Sequence, residues 1–300
     1  MTGGHLVIFG LGYTGAAVAR AAIAAGYRVS ATSRDPAGAP RIAGVRVVAF
    51  AAAEALLSDA SHLVATVPPA GDGGAGPGPD AAADPVLAAH GAAIAAAPRL
   101  AWAGYFSTTG VYGDRGGGWV DEATAPAPGQ ARSRRRLAAE QAWARLGGRV
   151  AVDLFRIAGI YGPGYSVFDD LRAGRARRVI KPGHVFCRIH RDDIAAAVLA
   201  AMAQPRPPGV RVLHLADDRP AEAAEVVEAA ARLLGVPPPP AVPFAEAAGG
   251  MSPIARSFWQ ESRRVASAHT RAELNLAWRY PSFLEGLPAI LAAEREDGAP

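Results

Sequence analysis

Residues 5–15, HLVIFGLGYTG, decide the fold. Five strand-forming residues run straight into Gly10, Gly12 and Gly15, a GxGxxG turn, and from Tyr13 onward the chain becomes alanine-rich and helical (YTGAAVARAAIAAG). A short strand, a glycine turn and a helix opening are the parts of a dinucleotide-binding βα unit. Each glycine has its own duty in such a unit. One permits the tight turn, the next lets backbone approach a pyrophosphate, and the third lets the helix pack closely on the strand. The phosphate charge rests on the unpaired amides and positive dipole end of the helix. Tyr13 and Thr14 at the first helical positions, with Thr66 and Pro68 near the end of a later strand, complete the expected cofactor-contacting set.

The second strand ends in ATSRDP. An NAD site carries an acidic residue there, about twenty residues beyond the glycines, to accept bonds from the adenosine ribose. Ser33 stands in that place and Arg34 follows it, so a 2′-phosphate would meet a hydroxyl and a guanidinium instead of a carboxylate. NADP is therefore the expected cofactor, with NAD kept open by Asp35.

Further along, apolar runs of four to seven residues alternate with helical stretches, as happens when parallel strands are covered on both faces by crossover helices. Strands are expected near 5–9, 28–32, 45–50, 62–67, 100–107 and 150–156, with helices near 13–25, 83–97 and 131–146. This is an α/β chain with a doubly wound, mostly parallel sheet of Rossmann type and a smaller C-terminal region. The dinucleotide-binding domain spans 1–160, with 186–215 returning to it through a helix from about 193 to 202 and a strand near 210–215. Residues 161–185 and 216–300, including a helix at 221–234, form the smaller substrate-binding region. GDGGAGPGPD, residues 71–80, reads as a mobile linker.

Composition narrows the class. Half of the 300 residues are hydrophobic and 19% charged, which excludes a disordered or fibrous chain. The 31 basic and 27 acidic residues leave a net +4, too small and too dispersed for nucleic acid binding. A single cysteine, Cys187, excludes an internal disulfide, and the spacings of zinc sites are missing, so no metal is expected. The start has no basic leader, and the most apolar later stretch is broken by His90, Pro98 and Arg99, so the expectation is a cytoplasmic protein without membrane contact.

From the glycine turn through STTGVYG at 107–113, RRRLAAE at 134–140, LFRIAGIYGPG at 154–164 and RIHRDDIA at 188–195, the chain resembles the extended or atypical short-chain dehydrogenases/reductases, the NAD(P)-dependent epimerase/dehydratase-like proteins. The resemblance covers roughly the first 215 residues. It departs at the first motif, where Phe9 occupies the place of the first glycine of TGxxGxxG. By the resemblance, Thr108 is the residue that bonds the substrate oxygen. The family's YxxxK pair, an acid/base tyrosine and a ribose-binding lysine, falls on Arg132 and Arg136, and no tyrosine stands between Tyr112 and Tyr161. A guanidinium keeps its proton above pH 12, so Arg132 cannot exchange one near neutrality; its fork suits an anionic group instead. Arg136 retains the capacity to donate to ribose hydroxyls. Tyr112 is the nearest phenol in sequence that could supply a proton, with water as the other source.

Arg188 and His190, in CRIHRDD, match the family's substrate-facing strand and are expected to line the substrate site, with Asp192 as the cap of the following helix or the partner of a nearby base. Lys181, the one lysine of the chain, could reach an anionic ligand; Tyr161 and Tyr165 flank GPG at the edge of a cleft, where residues 251–259 also pack. Three readings remain: an NADP(H)-dependent oxidoreductase acting on a small carbonyl, hydroxyl or imine compound, with anionic ones among the candidates; a cofactor-binding sensor or scaffold without turnover; and a nucleotide-sugar epimerase or dehydratase. The resemblance also implies a homodimer.

Overall fold

The structure, a computed structural model, describes residues 3–69 and 84–297; the linker expected at 71–80 lies outside the described residues. Seven parallel strands form the central sheet: β1 (His5–Phe9), β2 (Arg28–Ser33), β3 (Val45–Ala49), β4 (His62–Ala65), β5 (Trp102–Thr108), β6 (Ala151–Ile157) and β7 (Gly209–Leu215). Their order across the sheet is β7-β6-β5-β4-β1-β2-β3. The chain thus winds outward from β1 in one direction and then, after β4, in the other. Between β1 and β4 the order reverses, and in such sheets ligands bind beyond the carboxyl ends of the strands at that crevice.

Both faces of the sheet are buried, which explains the nearly continuous apolar runs. Successive side chains alternate between two cores: Leu6 and Ile8 join one, Val7 and Phe9 the other. The first core is closed by helices α1 (Tyr13–Ala24) and α4 (Arg191–Ala203), the second by α2 (Pro85–Ala96) and α3 (Ala131–Ala144). A third core, built from Tyr161, Phe168, Val226, Phe283, Leu287 and Ile290, belongs to the C-terminal region. Tail residues Val265, Leu274 and Trp278 instead pack into the first core, so the tail folds back along the sheet. Among the described residues no helix is long and apolar enough to cross a membrane.

Two small strand pairs bring distant segments to the ends of β5 and β6. Gly159–Tyr161 pairs in parallel with Arg188–His190, placing Arg188 beside Gly159 and His190 beside Tyr161. Trp119–Val120 pairs with Arg264–Val265, drawing residues 261–265 to the same place.

Beneath this place lies a chain of buried polar groups. Glu140 of α3 is 2% exposed and accepts from Ser107 Oγ at 2.5 Å. Both its oxygens also accept from Arg156 of β6, from Nε at 3.1 Å and from Nη2 at 2.8 Å. Arg156 Nη1 donates to the Tyr112 hydroxyl at 2.7 Å, which in turn meets His214 Nε2 of β7. Removing one partner of a buried, bidentate pair strands the other charge. Glu140→Ala is therefore expected to destabilise the fold by about 3–5 kcal/mol, read by urea denaturation. The double variant Glu140→Leu, Arg156→Met should recover most of that loss, because it removes the stranded charge as well.

Candidate functional site

The opening turn divides its labour among three glycines as the sequence implies. Gly10 has φ +97°, and a Cβ there would press on Thr66 Oγ1 at 2.7 Å and Val67 Cγ2 at 2.9 Å. Thr66 Oγ1 donates to the Gly10 carbonyl at 2.8 Å, so Thr66 fixes the turn from β4. Gly15 packs so closely on the Gly10 carbonyl that any side chain would collide with it. Gly12 differs: a Cβ there would meet nothing, so this backbone faces open space at the head of α1. No side chain caps α1 and its first turn holds no acid, so its leading amides keep their positive end uncompensated. The residues present fit a pyrophosphate. Thr14 is half-buried beside them, whereas Tyr13 turns toward the C-terminal region, donating to the Pro163 carbonyl at 3.0 Å under the Arg191 guanidinium.

At the end of β2, Ser33 Oγ donates to the Asp35 carbonyl at 2.9 Å and accepts from Asp35 N at 3.1 Å. Arg34 is exposed, and among the described residues it has no ion-pair partner. The Asp35 carboxylate accepts from Ala37 N at 3.2 Å within the same turn.

A cavity of about 600 Å³ opens at the carboxyl ends of β5 and β6. Pro68, Thr108, Arg132, Arg136, Tyr161 and Arg188, six of the residues expected from sequence, line it together. Thr108 Oγ1 accepts from Gly110 N at 3.1 Å, which leaves its proton without an acceptor among the described residues. Arg132 lies with Cζ 3.9 Å above the Phe258 ring, and Arg136 Nη1 donates to the Phe106 carbonyl at 2.8 Å. The two arginines stand one turn apart on α3, four residues and eight residues before Glu140, on the helix face that the buried ion pair holds against the sheet.

Other expected residues lie elsewhere. Tyr112 does not reach the cavity: its side chain is 0% exposed, enclosed by Arg156, His214 and the Asp121 carbonyl, and burial pushes its hydroxyl up to about 12. The turn Thr109–Tyr112 swings it into the core. Lys181 is occupied by the Trp259 carbonyl, with its amine 4.7 Å from the Phe244 ring centre, and so braces the C-terminal region. His190 is a cap: its Nδ1 accepts from Asp192 N at 3.2 Å at the head of α4, while burial lowers the ring to about 4 and keeps it neutral. Asp192 is thus not the cap; it pairs with Arg191 at 3.1 Å. Tyr165 is mostly exposed, 5.4 Å from the Tyr13 ring.

Several cavity residues left no sequence signal. Arg263 donates to Glu261 at 3.1 Å and to the Gly113 carbonyl at 2.6 Å, and Ser133 stands beside Arg132. Phe186 and Cys187 complete the wall next to Arg188, and burial raises the Cys187 thiol to about 11. Behind Arg188 sits Asp217, 1% exposed, whose backbone N donates to the Arg188 carbonyl at 2.7 Å. Burial raises its carboxyl to about 8, against the lowering pull of the Arg219 amide and Arg188.

An acid raised in the folded state binds a proton that the unfolded chain releases near pH 4, so its contribution to stability is full below pH 4 and lost as pH climbs through 8. Asp217→Asn, a copy of the neutral acid, should gain stability over the parent progressively between those values. Thermal melts of both proteins from pH 4 to 9 measure the gap; a constant gap would mean that Asp217 is ionised in the folded chain.

No family model matches the chain. A conserved protein of unknown function from Silicibacter pomeroyi DSS is 42% identical over 97% of this chain and 99% of its own, with a TM-score of 0.87. A protein described as an NAD-dependent epimerase/dehydratase, from Methylobacillus flagellatus, covers 98% of this chain and all of its own at 24% identity and a TM-score of 0.73. A curated 3-diazoavenalumate denitrifying reductase from a Streptomyces species is 31% identical over 179 residues, 54% of each protein, so the chain spans about half the length of that relative. With its seven-stranded parallel sheet of Rossmann type, the chain belongs to the family of the Silicibacter pomeroyi protein.

Proposed function

We propose that the chain binds NADP(H) across the 10–15 turn and is an oxidoreductase whose reaction takes place in the cavity at the ends of β5 and β6. The observation that carries this reading is the contrast among the glycines: Gly10 and Gly15 are held by packing, while Gly12 presents bare backbone to open space at a helix head. Ser33 and Arg34 support the phosphorylated coenzyme, because a hydroxyl and an exposed guanidinium stand where a carboxylate would repel the 2′-phosphate. Two of the relatives, one described as NAD-dependent and one as a reductase, agree with a nicotinamide chemistry.

Bound there, the nicotinamide supplies or accepts a hydride. Thr108 offers its free proton to a ligand oxygen at the edge of the cavity. Arg132 and Arg136 take the places of the tyrosine and lysine of YxxxK, and a guanidinium orients an anion without exchanging a proton. The cavity's phenol and thiol, Tyr161 and Cys187, are both pushed up by burial, away from neutrality. The proton of the reaction then comes from water, or the substrate is an electrophile that needs none. The same observation favours a second reading, a cofactor-binding protein without turnover.

Equilibrium dialysis separates these. NADPH should bind at least about ten-fold more tightly than NADH, a difference of about 1.4 kcal/mol, and Ser33→Asp should reverse the order. Retention of neither coenzyme would overturn the reading. NADPH oxidation with a panel of carbonyl and imine compounds supports the oxidoreductase. Tight binding with an inert panel supports the protein without turnover, and interconversion of nucleotide-linked sugars would identify an epimerase.

A further inference from the structure

The cavity is strongly cationic, with four arginines in its wall and Glu261 as the acid among its described lining residues. These arginines are not equivalent. Arg263 is compensated by Glu261, and Arg132 and Arg136 are engaged by Phe258, the Phe106 carbonyl and further partners. Arg188 stands apart. Both of its hydrogen bonds run from Nη1, to the Phe186 carbonyl at 3.0 Å and the Ala221 carbonyl at 3.2 Å. The edge formed by Nε and Nη2 has no acceptor among the described residues, and no carboxylate there lies within ion-pair distance of it.

A guanidinium sunk in a wall without a counter-charge is costly unless something supplies one. Asp217, the acid that bears on it, has no ion pair with the guanidinium among the described residues, and burial pushes its carboxyl up to about 8. The free Nε and Nη2 edge is the geometry that takes a carboxylate through two parallel bonds. Around it the wall is apolar: Ile160, Val185, Phe186 and Val265. Thr108 lies across the same cavity.

From this placement we propose that Arg188 anchors the carboxylate of an organic monoacid with an apolar or aryl body, which lies in the main cavity with its reacting end toward Thr108. This names the substrate class of the site proposed above and rests on that reading. One uncompensated charge calls for one carboxylate. The apolar wall receives the rest of the molecule. Arg188 and Tyr161 also border a second cavity, of about 300 Å³, on the far side toward Val226, Phe283 and Leu287. There Asp170 is paired with Arg175 at 3.1 Å. An acid bound from that side would be a different site, and the test distinguishes the two.

The probes are 3-phenylpropanoate and its neutral amide, titrated by calorimetry into the full chain saturated with NADPH. The expected result is acid binding at least ten-fold tighter than amide binding. Arg188→Gln should abolish that preference while leaving the amide and NADPH affinities unchanged, and Arg188→Lys should restore part of it. Ala223→Leu, which fills the second cavity, should leave acid binding as it was. Equal binding of acid and amide by the parent protein overturns the proposal, as does an Arg188→Gln variant that keeps the preference or an Ala223→Leu variant that loses it. NADPH bound with no carboxylate preference defeats this inference alone, whereas failure to bind NADPH defeats the reading beneath it.

Discussion

The buried ion pair between Glu140 and Arg156 is the constraint on which the site depends. Taking both charges out of water costs several kcal/mol per ion before any contact is counted. The pair persists because its bonding is nearly complete: Ser107 and the Nε–Nη2 edge of Arg156 occupy the carboxylate, and Tyr112 takes the remaining guanidinium nitrogen. Such a network has one low-energy arrangement, and it joins α3 to β5, β6 and β7 at once. Thr108 follows Ser107 on β5, Ile157 follows Arg156 on β6, and Arg136 and Arg132 lie one and two turns before Glu140 on α3. Four positions of the cavity wall are thus placed by a single buried contact that no ligand touches.

Charge inside the cavity follows the same accounting. A compensated arginine, such as Arg263 beside Glu261, shapes the wall and contributes little net field. An uncompensated one dominates it, because the low dielectric magnifies whatever charge is not cancelled locally. Asp217 decides which kind Arg188 is. Were its carboxyl ionised, Arg188 would face an internal anion; held neutral by burial, it faces the cavity as a cation. Desolvation of one buried acid thus bears on the charge shown to the cavity by a residue far away in sequence.

The fold was legible because its signals are local. HLVIF carries both faces of a doubly covered strand within five residues, and the glycine turn follows at once. Every sheet strand through β7 is preceded or followed by its own helical stretch, so periodicity suffices. The positions expected to face a cofactor share this locality. Those expected to face a substrate do not. Tyr112 sits two residues from cavity-lining Gly110, yet a single 3₁₀ turn buries it, and sequence gives neighbours without giving direction. Lys181 stood out by rarity, and its amine is consumed by a carbonyl 78 residues away. Arg263 and Glu261 enter the cavity through a two-residue strand pair linking Trp119–Val120 to Arg264–Val265, a contact too short and too distant in sequence to leave a pattern. Arg188 was visible as a candidate; its missing counter-charge was not, since that depends on Asp217 being buried.

The separation between turn and cavity has a chemical consequence. Holding a dinucleotide asks only for backbone amides, space and a helix dipole, all supplied by residues 10–15 whatever side chains line the strand ends. Proton transfer asks for a group poised near the working pH, and the cavity's phenol and thiol, Tyr161 and Cys187, are both displaced away from it. A chain that keeps the first capacity and exchanges the tyrosine position for a permanent cation is suited to substrates whose electrophilic centre is already activated, or whose developing charge is stabilised by arginine without being protonated. On the reading proposed above, the guanidiniums would not be a failed version of an acid/base pair; they would select a different range of hydride acceptors.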